Sequence, residues 1–244
     1  MEEQLSSVAE EKATMGGISK VFNTYFEPSK LFESLKIKPT WLVPFIIVAI
    51  LGMASFWFTY PLMMKEVITN IQENERFTEE QKEMIIERVG SAEHPPVYQL
   101  AFAPVGVIVY LFLISGVLFF VFNVLLGGDS SFKRVLSVFS YSALIAIPKS
   151  IVHLPLAFAK QTANIQTSLA IFLSPDDKGT FLYRVLGGFD VFTLWQVLLI
   201  SLGLGVMYNY TMKKSFTVVF ILWVFLIVVG SALSTLFGGM LRFG

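Results

Sequence analysis

Residues 41–60 read WLVPFIIVAILGMASFWFTY, an unbroken run without a charged side chain. A bilayer core about 30 Å thick is crossed by roughly 20 apolar residues in a helix, so this stretch is long enough to span one. Trp41 at its start and Tyr60 at its end are rings of the kind that favour the membrane–water boundary. Three further uncharged runs follow, at 101–126, 191–212 and 215–241, the last two separated only by Lys213 and Lys214. A fifth candidate, 135–159, contains Pro148, Lys149, His153 and Pro155. Its first half, Val135 to Ile147, is uncharged, and its charges fall near the far end, where a lysine stem can snorkel. Proline is tolerated in a membrane helix where neighbours cover the freed carbonyls.

The expectation is an all-α polytopic membrane protein with a five-helix transmembrane bundle, its spans near 41–61, 100–126, 135–159, 190–212 and 215–240. Composition agrees. Of 244 residues, 55% are hydrophobic and 15% charged, against about 25% charged in a soluble domain, and the mean hydropathy is +0.67. Basic and acidic residues balance at 18 each, so no global field recruits nucleic acid. Cysteine is absent, which excludes disulfides, thiolate metal ligands and cysteine nucleophiles. The first apolar run follows forty mixed residues that open on Glu2 and Glu3, unlike a secretory signal.

Orientation follows from basic residues beside short loops. Lys30, Lys36 and Lys38 precede span one, Lys133 and Arg134 lie between spans two and three, and Lys213 and Lys214 between four and five. Five spans put all three groups on one side, read as cytoplasmic, with the C-terminus external. The pairs Lys133–Arg134 and Lys213–Lys214 are topology signals that can also hold anionic lipid headgroups.

The segments outside the spans have their own signals. Residues 1–19 read as a disordered cytoplasmic tail and 20–40 as an amphipathic segment lying in the interface, leaving 41–244 as the membrane domain. In the external segment 62–94, Thr78 with Gln81 has the spacing of a capping box, and Pro95–Pro96 precedes span two. In the second, 160–188, Ser174-Pro175-Asp176-Asp177 reads as a helix start, its acidic pair favoured by the helix dipole. Gly187–Gly188 reads as that helix's end.

Several landmarks together are similar to bacterial members of the Yip1 family. They are Phe26-Glu-Pro-Ser-Lys-Leu-Phe-Glu-Ser-Leu35 with Lys38-Pro39-Thr-Trp41, and the Gly127–Gly128 turn. Ser131-Phe-Lys-Arg-Val-Leu-Ser-Val-Phe-Ser-Tyr141, and Asp190-Val-Phe192-Thr-Leu-Trp195 leading to Gly203, complete the set. The resemblance implies five spans with a cytosolic N-terminus. The Asp-Leu-Tyr-Gly-Pro-like motif of eukaryotic relatives, which are linked to Rab GTPases, is missing, so that role does not carry over. Some bacterial relatives accompany ABC exporters of the macrolide-exporter type. That implies a bacterial cytoplasmic membrane and, as partners, an ABC permease, its ATPase and a periplasmic adaptor.

Lys149, His153 and Asp190 are the polar residues of interest within the spans. Lys149 and His153 share a helix face, about 20–27 Å from the start of span three, and Asp190 opens span four from the same side. They tie spans three and four together or let a lysine snorkel, mark a proton or substrate pathway, or are simply exposed at the interface. Asn123 is read as bonding another helix. Gly203, Gly205, Gly230 and Ser234 offer small surfaces for close helix approach, and Phe192 and Trp195 are interface anchors or core.

No phosphate-binding loop, nucleophile elbow or His/acidic cluster at metal spacing occurs. The sequence therefore points to a non-enzymatic scaffold or accessory subunit without a cofactor, bound to the lipid bilayer and to other membrane proteins. A small transporter, channel or lipid-handling protein, as a homo-oligomer, is the alternative.

Overall fold

The computed structural model describes residues 15–74, 77–89, 94–174 and 177–240. Its helices, in chain order, are α1 (Gly17–Phe26), α2 (Pro28–Ile37), α3 (Leu42–Gln72), α4 (Glu79–Val89) and α5 (Val97–Phe119). A π-helical segment (Phe120–Leu125) continues α5. After it come α6 (Phe132–Ser142), a 3-10 turn (Ala143–Ile145), α7 (Ala146–Lys160), α8 (Phe181–Gly187), α9 (Val191–Tyr208) and α10 (Met212–Met240). Five helical stretches are long and apolar enough to cross a membrane: Leu42–Gln72, Val97–Leu125, Phe132–Lys160, Val191–Tyr208 and Met212–Leu236. The described residues are thus helical, with five spans. Apolar runs of this length bury their backbone polar groups only by forming helices.

Some boundaries differ from those the sequence suggests. Span four ends at Tyr208, not Met212, because Asn209 takes a left-handed conformation (φ 53°) that closes the helix, a conformation asparagine tolerates better than most residues. The segment before span one is helical from Gly17, three positions earlier than expected; the rest of that tail, residues 1–14, lies outside the described residues. The external α-helix starts at Phe181, after a first turn at Ser174. There Asp177 accepts the Ser174 N–H at 3.1 Å, the bond of a helix start. Thr180 is the cap, accepting the Tyr183 N–H at 3.2 Å. Pro175 and Asp176 lie outside the described residues.

The chain forms two compact units. The first comprises residues up to Phe45, Tyr110–Ile145 and Gln166 onward, and α9 is its hub, packed against α10, α2 and α6. The apolar face of α2 is buried in this core: Leu31, Phe32 and Leu35 are wholly covered by protein. Of the amphipathic segment, the apolar face of α2 thus meets α9 and α6, while Phe22 and Phe26 of α1 stay exposed. Glycine makes the approach possible, since a Cβ on Gly203 would stand 2.5 Å from Val138 and 3.0 Å from the Phe32 ring.

The second unit comprises Ile46–Val109 and Ala146–Ile165. Glu66, on the extension of α3, accepts the Ala163 N–H at 2.9 Å and the Thr162 hydroxyl, holding the end of α7. His94 stacks on Trp57, ring centroids 4.4 Å apart. Thr78 and Gln81 form the reciprocal capping box at 3.1 and 3.3 Å, satisfying two orphan donors at the start of α4.

Candidate functional site

Polar side chains gather at two places in the first unit. One is the junction where α5, α6, α9 and α10 turn back. There the α5 helix widens into its π segment, which exposes an i→i+5 register and is a frequent mark of functional sites. The segment carries Phe122, fully buried, and Asn123. The Asn123 amide donates to the Ser130 carbonyl at 3.0 Å and accepts the Tyr208 hydroxyl, so it bonds both its own turn and α9. Tyr210 donates to the Leu126 carbonyl at 3.3 Å. The rings of Phe122 and Tyr208 lie 5.2 Å apart and those of Tyr208 and Tyr210 5.9 Å.

Both glycines of this turn are required. Gly127 has φ +64°, and a Cβ at Gly128 would lie 2.5 Å from the Tyr208 ring. Cations frame the cluster. Lys36 donates to the Val206 carbonyl at 2.9 Å and to Asn209, capping the negative end of α9. Arg134 donates through Nε to the Lys36 carbonyl at 3.0 Å, and the Lys214 ammonium sits 3.4 Å from the centre of the Tyr210 ring, a cation–π contact. Lys133 and Lys213 are exposed nearby in sequence.

Deeper in the same unit, Lys20 is almost fully buried. It donates to Thr40 at 3.4 Å, and Thr40 shares a hydrogen bond of 3.4 Å with Tyr141. Desolvation, and then the charge of Lys38, push the Lys20 ammonium below its ordinary pKa. Tyr25 donates to the Leu144 carbonyl at 2.6 Å, with its ring 6.2 Å from Trp195, and burial pushes its phenol up to about 12.

The second place is the start of α9. Asp190 is its N-cap: Oδ1 accepts the Phe192 and Thr193 N–H groups at 2.9 and 3.2 Å, and Oδ2 accepts the Thr167 hydroxyl. A bridge between Ser168 and Asp190 fixes the connecting segment beside it. A cavity of about 420 Å³ opens here, walled by Leu169, Phe189, Leu194, Phe220 and Trp223. Asp before an apolar helical run is a standard start signal, so the capping role of Asp190 was open to a reading of its position, whereas the bond from Thr167 was not. Lys149 and His153 lie one turn apart on α7 in the second unit.

The other residues singled out above fall as follows. Gly205 faces Ser215 Oγ and the Tyr210 carbonyl, at 3.2 and 3.3 Å from a hypothetical Cβ, whereas Gly230 has nothing within 4 Å. Ser234 accepts from Arg184. Phe192 and Trp195 are in the first two turns of α9, Trp195 touching Tyr25. Among the described residues no three His, Asp or Glu side chains gather to hold a metal. The sequence reading missed the Lys36–Asn209 and Tyr208–Asn123 pairs. Their one signal is the Tyr208-Asn-Tyr210 triplet, polar and aromatic between two apolar runs.

Set against known proteins, residues 22–233 match the family model described as the Yip1 domain. No curated protein and no solved structure matches.

Proposed function

The chain belongs to the Yip1 family, and from that premise we propose that this integral membrane protein is a non-enzymatic scaffold or accessory subunit of a larger membrane complex. The observation that carries the reading is what the polar groups at the junction do. Tyr208, Asn123, Lys36 and Arg134 are all engaged with the protein's own backbone and side chains. Such groups define a shape and do not present a reacting constellation of nucleophile, base and oxyanion donors. The spans Leu42–Gln72 and Met212–Leu236 have only 11% of their apolar windows buried, leaving helix surface for other membrane proteins.

The partner this reading favours is an ABC exporter of the macrolide-exporter type in a bacterial cytoplasmic membrane. The basic junction would lie on the cytoplasmic side, with the α4 hairpin and the C-terminus outside. Affinity purification of the tagged full chain from its native membrane in mild detergent, followed by mass spectrometry, tests it. Stoichiometric recovery of a permease, ATPase or adaptor is the expected result; repeated recovery of this chain alone overturns it.

One observation favours a second reading, a small oligomeric transporter, channel or lipid-handling protein: the cavity beside the buried Asp190 carboxylate. It predicts pH-dependent flux in liposomes that Asp190→Asn abolishes. Unchanged flux in that variant removes it.

A further inference from the structure

The hairpin made by α1 and α2 carries the next inference. Contacts at three levels fix how α2 lies in the first unit. At its end, Lys36 donates to the Val206 carbonyl, and the Lys36 carbonyl accepts from Arg134. In its middle, Phe32 meets Gly203 beside Val138. Just before its start, Tyr25 donates to the Leu144 carbonyl and its ring lies against Trp195. The three levels climb α6 and α9 together, so α2 runs alongside both helices rather than across their ends. At 1.5 Å per residue, Leu144 stands about 18 Å from the start of α6 at Phe132, and Trp195 about 20 Å from the end of α9 at Tyr208. Both helices belong to membrane-crossing stretches. The turn at Glu27, two residues past Tyr25, therefore lies within a bilayer core about 30 Å thick. There Glu27 and Lys30 pair at 3.3 Å, yet their side chains remain 55% and 52% exposed.

We propose that a second copy of this chain covers the turn, in a two-fold contact where Glu27 of each protomer pairs with Lys30 of the other. Depth and charge choose this occupant. Ionisable groups at membrane depth pair with one another or face a bundle interior, because hydrocarbon is a costly cover for them. Among the described residues, Glu27 and Lys30 have no side-chain partner but each other, and the exposed edge of α2 continues with Ser29 and Glu33. Whatever covers this edge must therefore be polar and carry both signs. A neighbouring pair of opposite charges meets that condition with itself. A two-fold axis sets each charge against its opposite, twice in one contact, and polar side chains join helices within membranes. Beside the turn, Phe22 and Phe26 of α1 are 60% and 78% exposed, while Lys20 and Thr24 of the same helix face inward. That inverted face supplies apolar surface next to the charges. The scaffold reading neither needs this contact nor forbids it.

The test uses the full chain in open fragments of its native membrane, where both faces are reached by reagents. The chain lacks cysteine, so Ser29→Cys supplies its one thiol. An added oxidant is expected to give a disulfide-linked dimer of this chain, and a membrane-impermeant maleimide to leave the thiol unlabelled until detergent is added. Labelling without detergent overturns the proposal, since water would then cover the turn; so does a disulfide to a different protein, or recovery of monomer alone. The exchange variant Glu27→Lys/Lys30→Glu keeps an ion pair within each chain and so separates folding from association. Coexpressed under two tags, it is expected to copurify with itself as well as the unsubstituted chain does with itself. Mixed pairs set like charges together and are expected to fall at least about tenfold below either self pair. Mixed pairs as abundant as self pairs overturn the proposal. Where the exchange variant does not fold, the Ser29→Cys result decides.

Discussion

Replacing Gly203 by alanine adds one methyl group where α9 approaches α2 and α6 closely. The new Cβ would stand 2.5 Å from Val138 Cγ1 and 3.0 Å from two atoms of the Phe32 ring, against an optimum of 3.5–4.0 Å between carbons. Neither neighbour has room to withdraw: both are wholly buried, and a helical valine is held to one χ1 rotamer. The helices α2, α6 and α9 must therefore separate by about 1 Å. Overpacking of this kind costs typically 1–3 kcal/mol, and the upper end applies here. The better helix propensity of alanine returns up to about 1 kcal/mol, for a net loss of about 2 kcal/mol. On the scale of a chain this size that lowers the melting temperature by roughly 4–8 °C.

The assay is thermal unfolding of the detergent-solubilised protein, followed by loss of the monodisperse elution peak. Gly230→Ala is the internal control, because nothing lies within 4 Å of that position; it is expected to melt at or slightly above the unsubstituted protein. Val138→Ala supplies the rescue. It removes the clashing carbon, so Gly203→Ala/Val138→Ala is expected to melt no lower than Val138→Ala alone, a coupling of about 2 kcal/mol. The reasoning is refuted if Gly203→Ala melts like the unsubstituted protein, if Gly230→Ala falls equally, or if the two effects simply add.

Three further outcomes are expected. Tyr208→Phe leaves the Asn123 carbonyl oxygen without the donor it has here and is expected to lose about 1–3 kcal/mol; Tyr208→Phe/Asn123→Leu, which removes both partners, should recover part of that loss in the same melting assay. Asp190→Ala removes an N-cap that accepts two N–H groups and should cost about 1–2 kcal/mol, while Asp190→Asn retains most of the cap; equal melting of the two variants would remove the capping account. Stability should also follow pH with two opposed slopes. Lys20 holds its proton less tightly folded than unfolded, so stability rises with pH through the window from its lowered pKa up to 10.5. Tyr25 is raised from 10.0 to about 12, so the unfolded chain loses that proton first and stability falls between those values. Melting scans from pH 7 to 12 should show the rise vanish in Lys20→Met and the fall vanish in Tyr25→Phe; a scan whose slopes survive both variants contradicts the assignment.

The five spans were legible because the bilayer imposes a one-dimensional rule: a helix must carry about 20 apolar residues whatever it packs against. Local backbone chemistry was legible for the same kind of reason. The Thr78–Gln81 capping box links neighbours three apart. Gly187–Gly188 does mark a helix end, although Gly188 keeps a right-handed backbone and its lack of a Cβ serves Ile227, which would stand 2.7 Å from one. The external segment carries two start signals within seven residues: Asp177 returns to the Ser174 N–H as the third residue of a helix start does, and Thr180 caps the α-helix that follows.

What the sequence could not yield are the meetings of distant residues. The burial of α2 depends on Gly203, some 170 positions away, whose missing Cβ leaves room for the Phe32 ring. The amphipathic pattern of that segment is equally consistent with a lipid interface, since an apolar face reports only that it avoids water, not what covers it. Asn123 was expected to bond another helix, but its choice of Tyr208, and that of Lys36 for the end of α9, rest on side-chain directions set when the helices pack. Length and polarity along the chain therefore decided that this protein lives in a membrane, and tertiary packing alone decided which of its polar groups are satisfied there.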